Sequence, residues 1–166
     1  SGLNEIDYTL SYAIDVGPVS LSAGHIWYTF PQVTGPMYGK STREVYVTAQ
    51  YNNDIVNPFV KAYYDYEFAD GVYANVGLNK SVKISDRLSA GAEVSLGVAD
   101  GNYMDVYYGS SGSFADFNAA LFASFAVTEN IAVGPRLAWM SLLDGEARDN
   151  ADDQDILWGG VNLSAS

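Results

Sequence analysis

Polar and apolar residues alternate along most of this chain with a period of two. The stretch Ala90 to Val98, AGAEVSLGV, shows it plainly. Ala90, Ala92, Val94, Leu96 and Val98 are apolar, whereas Gly91, Glu93, Ser95 and Gly97 are small or polar. A strand with that pattern has one oily and one wet face. Similar alternation predicts nine strands, over residues 5–16, 19–31, 43–53, 57–68, 71–83, 87–99, 113–128, 131–142 and 155–165. No amphipathic helix of ordinary length is predicted. The connections alternate in size. DVGPV (15–19), SDR (85–87) and TEN (128–130) are tight, and NNDIVNP (52–58) is nearly so. PQVTGPMYGKST (31–42), ADGNYMDVYYGSSGS (99–113) and LDGEARDNADDQ (143–154) are long loops, while ADG (69–71) is short on the long-loop side. Short turns on one rim and long loops on the other is the layout of bacterial outer-membrane barrels.

Which face points inward decides the function. In a soluble barrel the oily residues fill the interior; in a membrane barrel they face lipid. The polar positions are mainly Ser, Gly, Asn, Thr and Ala, with few of the charges that a water-bathed face carries. They suit a crowded polar lumen. The charges expected there are Glu44, Lys61, Asp65, Glu67, Glu93, Asp116 and Arg136, with Lys61 and Arg136 as partners for the acids. Trp27, Trp139 and Trp158 fall near strand ends, where aromatic girdles sit. Lys80 falls on the oily parity close to a turn, within reach of the interface by snorkelling. His25 does so too, and a bulge beside Gly24 would move it to the other face. The resulting expectation is an all-β fold, one antiparallel up-and-down transmembrane β-barrel domain over residues 1–166. Nine is an odd number and a bare strand edge is not tolerated in lipid. At least one strand is therefore missing through N-terminal trimming, misread, or supplied by another chain.

Composition sharpens this picture. Charged residues are 17% of the 166, aromatics 14%, with 13 Tyr and 16 Gly. That is a low charge content for a soluble domain. The net charge of −12 argues against a nucleic-acid partner, because phosphate binding needs a basic surface. With no Cys and one His, thiolate chemistry and multi-His metal sites are excluded. His25 lies in AGHIWY without a nucleophile motif, and no G-x-S-x-G occurs, so no catalysis is expected. Asp144, Glu146, Asp149, Asp152, Asp153 and Asp155 crowd one loop. Such carboxylates are either a Ca²⁺ site with oxygen ligands or a solvated acidic loop; their spacing is not that of an EF-hand.

The stretches EIDYTLSYAIDVGPVSLSAGHIWYTFP and NVGLNKSVKISDRLSAGAEVSLGV, with LWGGVNLSAS as a closing strand, make the chain resemble small Gram-negative outer-membrane β-barrel proteins. The resemblance is strongest to poorly characterised families of roughly ten to twelve strands. Members usually end in an aromatic residue, where this chain has Ser166. The resemblance implies the outer membrane, contact with lipid, and either a structural barrel or a narrow porin-like channel for small ions or solutes. A cation preference is expected from the acids, since rings of carboxylates favour cations. Two other classes remain open: a surface assembly or fibre whose subunits associate through strand edges, and a soluble barrel holding an apolar ligand.

Overall fold

The computed structural model describes residues 6–29 and 41–165. They form one nine-stranded antiparallel sheet in which every strand pairs with its sequence neighbour. The strands are β1 (Ile6–Val16), β2 (Val19–Thr29), β3 (Ser41–Tyr51), β4 (Asn57–Asp65) and β5 (Gly71–Lys83). They continue as β6 (Leu88–Ala99), β7 (Phe114–Ala126), β8 (Ile131–Leu142) and β9 (Asp155–Ala165). Nine strands and an all-β up-and-down order agree with the periodicity. Most of the 31–42 loop lies outside the described residues. Among the described residues neither β1 nor β9 has a second strand partner.

Two loops differ from their prediction. Residues 99–113 contain α1 (Gly101–Tyr108) and residues 143–154 contain α2 (Gly145–Asn150). Both begin with an aspartate cap. Asp100 accepts from the Tyr103 N–H at 2.9 Å, and Asp144 from the Ala147 N–H at 3.0 Å. These bonds satisfy donors that a helix start leaves orphaned. Asp100 accepts in addition from the Val72 N–H at 2.9 Å, tying α1 to the start of β5. Gly109 ends α1 at φ +60°, where a Cβ would be strained.

Residues directly opposite in a ladder share a face, so register assigns both sides. Val47, Val60, Val76, Leu96 and Leu121 lie on one side and are exposed, with Leu121 at 62% and Val47 at 58%. Glu44, Asp65, Ser95 and Asp116 lie on the other and are buried, as is Thr42. Oil is therefore outward and polarity inward. The polar side is the inside of the curl: one recess there is bordered by residues from β3 through to β9. The β2–β3 register runs unbroken through Gly24 and His25, so no bulge moves His25 inward and it stays outward. Its Nε2 lies 2.5 Å from the Tyr66 hydroxyl, and its ring packs on Trp27 at 3.9 Å between centroids. Among the described residues the register shifts between Gly97 and Val98, opposite Phe114–Asp116. Trp27 and Trp139 face outward, but Trp158 pairs with Ala138 and so has the inward parity. Lys80 faces outward, and its ammonium donates to the Asn53 carbonyl at 2.8 Å, reaching the β3–β4 turn.

Candidate functional site: a tyrosine-capped polar interior

The polar face is divided along its length. At the loop rim Glu44 stands directly opposite Asp65 in the β3–β4 ladder. Like charges in that position repel. Hydroxyl donors offset the repulsion: Tyr28 donates to Glu44 at 3.0 Å, and Thr42 donates to Asp65 at 2.8 Å. Two backbone N–H groups, of Glu67 and Phe68, also donate to Asp65, at 3.0 and 2.9 Å. Asp116 accepts from Tyr73 at 2.8 Å, from Tyr108 at 2.7 Å, and from the Asn118 amide. A Cβ on Gly97 would overlap both the Asp116 carboxylate and the Tyr73 hydroxyl, so the glycine makes room for this bond.

α1 is held over this acidic zone by its tyrosines. Tyr107 donates to Asp65 and Tyr108 to Asp116, so two strands far apart in sequence grip one short helix. Tyr103 stacks on Tyr73 at 5.3 Å and meets Tyr107 at 4.5 Å. Burial pushes the hydroxyls of Tyr103, Tyr107 and Tyr108 well above the ordinary phenol range. The facing carboxylates, Glu44 for Tyr103, Asp65 for Tyr107 and Asp116 for Tyr108, push the same way. These phenols remain protonated, and those of Tyr107 and Tyr108 serve as donors.

α2 latches the far end of α1. The Asn150 amide donates to the Gly109 carbonyl at 2.6 Å, Ser110 donates to Asp144, and the Ser111 N–H donates to Glu146 at 3.1 Å. The bond from Ser110, then that from the Ala147 N–H, holds the Asp144 carboxyl below its usual range. Ala69, Met104, Ala115, Leu142 and Ala147 are buried apolar side chains at this rim.

Halfway along the interior the chemistry changes. Glu93 on β6 receives Arg136 of β8 at 2.9 Å on one oxygen and Lys61 of β4 at 3.5 Å on the other. The three side chains are largely covered, at 15% exposure for Glu93 and under 30% for both cations. Of the acids predicted to pair with Lys61 and Arg136, only Glu93 does so; Glu44, Asp65 and Asp116 take hydroxyl donors instead. Glu67 does not join the interior group. It lies beyond the end of β4 and pairs at 3.5 Å with Arg43, which has the outward parity.

The six-acid loop is dispersed. Asp144 caps α2 and Glu146 takes Ser111, whereas Asp149, Asp152, Asp153 and Asp155 are exposed. Among the described residues no three such side chains converge in metal-ligating geometry. Two α1 tyrosines absent from the sequence-derived candidates, Tyr107 and Tyr108, donate to the interior acids alongside Tyr28, Thr42 and Tyr73 of the strands. The signal for α1 was the Asp100 and Gly109 pair bracketing eight residues. No protein-family model and no curated protein matches this chain.

Proposed function

We propose that the chain is an integral outer-membrane β-barrel protein without catalytic activity, its polar lumen plugged at the loop rim by α1. The observation that carries this reading is the inversion of the usual soluble pattern. Leu121, Val76, Leu137 and Val47, all at least 50% exposed, share the side facing away from the buried acids. Lipid is the solvent that makes such a face favourable, because a contiguous apolar patch of this extent on water is rare. Trp27, Tyr66 and Trp139 then mark the interface at the loop rim, and Lys80 reaches the opposite one. Additional strands close the seam between β1 and β9, since lipid leaves no backbone edge unpaired.

The plugged form is a structural barrel or a channel at rest. If α1 withdraws, the mouth exposes Glu44, Asp65 and Asp116, none of them paired with a cation among the described residues. A cation preference follows from that charge. The edges β1 and β9, unpaired among the described residues, favour a second reading, association of subunits through them into a surface assembly.

Extraction and gel mobility test the first reading. A barrel needs detergent to leave the membrane and changes mobility on boiling. Release without detergent and an unshifted band would refute it.

A further inference from the structure

The recess at the turn-rim end of the interior has a volume of about 410 Å³, within the range of small-molecule sites. Gln50, Asn57, Asn79, Phe122, Arg136 and Asn162 are among the side chains that border it. Its bordering charges are Glu93 and Arg136. Lys61 shares Glu93 from outside the recess, which leaves the three-residue cluster with one positive charge in excess. The donors are not used up. A guanidinium carries five N–H donors, and among the described residues Arg136 makes one hydrogen bond, to Glu93. Its guanidinium lies 5.9 Å from the Phe122 ring centroid, which fixes the fork beside the recess. The remaining polar wall is amide. Asn79 donates to Gln50 at 2.6 Å, and Asn57 to Asn79 at 3.4 Å, leaving further donors and acceptors on each.

A planar guanidinium with spare donors beside a recess on the inside of the curl matches a carboxylate bidentately. Neighbouring amides match hydroxyl groups, which both donate and accept. We infer that this recess binds a small hydroxylated monocarboxylate of the sugar-acid class, entering from the turn rim, with Arg136 on its carboxylate. The inference rests on the barrel reading, because only a closed barrel makes the recess an interior site. It also separates two ends of the lumen. The loop rim is acidic and capped, whereas the Lys61–Glu93–Arg136 cluster halfway along carries one net positive charge and the turn-rim recess presents amides.

Isothermal titration of the purified chain in detergent with D-glucuronate, against D-glucose as the neutral counterpart, tests it. Glucuronate should bind saturably and glucose at least tenfold more weakly, as expected for loss of a charge-assisted pair. Arg136→Met should weaken glucuronate binding tenfold or more, and Arg136→Lys should restore part of it, since charge returns without the fork. Asn162→Leu, on the edge strand, gives a second variant that leaves the Glu93 ion pairs in place; it should weaken both sugars. No glucuronate binding by a chain that still shifts on boiling would overturn the site and leave the barrel standing. Equal binding of the two sugars, or full binding by a folded Arg136→Met, would also overturn it. A chain that binds glucuronate yet needs no detergent would sink the barrel reading instead.

Discussion

Single residues set how the interior is held. Asp116 is 1% exposed and serves two tyrosine hydroxyls and an amide at once. Asp116→Ala strands these buried donors, and each stranded group costs about 1–3 kcal/mol. Removing one donor instead, by Tyr108→Phe, should cost about 1 kcal/mol, because Asp116 keeps Tyr73 and Asn118. Urea unfolding of the chain in lipid vesicles should rank the two in that order; equal costs would mean that Asp116 is not the hub. None of this was legible from the residues alone. The period-two pattern put Glu44, Asp65, Glu93 and Asp116 on the polar face. It carried no information on which donor each would meet, because Lys61 reaches Glu93 from two strands away and Tyr107 reaches Asp65 across 42 residues. Opposite charges were expected to pair, yet three of the acids are satisfied by hydroxyls: Glu44 by Tyr28 of β2, Asp65 by Thr42 and the helix's Tyr107, and Asp116 by Tyr73 and the helix's Tyr108.

At the scale of elements, the strands were readable and the helices were not, for one reason. Eleven residues of alternation give a strand several independent confirmations, whereas α1 has eight residues and α2 six. Three of the eight in α1 are tyrosines, which favour strands intrinsically. The helix exists because Asp100 and Gly109 cap it and Asp65 and Asp116 hold its phenols. Its docking should therefore weaken in alkali. The α1 tyrosines have hydroxyl pKa values raised by burial, while the same groups on a released loop ionise at about 10. Above that pH the released form has lost more protons than the docked form, so docking stability falls as pH rises. In planar bilayers, conductance should be low at pH 8 and rise above about pH 10, with the gel shift unchanged. Replacing residues 101–110 by a short Gly-Ser linker should give the open state at pH 8, with cations favoured over anions. A linker variant no more conductive than the parent would remove α1 as the plug, and anion selectivity would contradict the acidic mouth.

For the whole molecule, the decisive property is the sign of a solvent preference. Leu121 sits near the middle of β7, 62% exposed, on the face opposite Asp116 and Asn118. In water, an exposed Leu is a forgiving position, and Leu121→Arg would change stability by about 0.5 kcal/mol or less. At the midplane of a bilayer the same change costs about 2–4 kcal/mol. The two solvents thus differ several-fold in outcome at one residue whose protein contacts are few. Lys80 supplies the internal comparison: it shares the outward face, but its ammonium already reaches the Asn53 carbonyl at the turn rim. Lys80→Leu should be near neutral to stabilising in lipid apart from the loss of that one bond. Vesicle-based unfolding of the parent, Leu121→Arg and Lys80→Leu measures all three under one condition. A cost above about 2 kcal/mol for Leu121→Arg, together with tolerance of Lys80→Leu, is what a lipid-facing surface requires. A negligible cost for the arginine would mean that water, or another protein, covers the apolar face, and the edges β1 and β9 would then become the place to look for the partner.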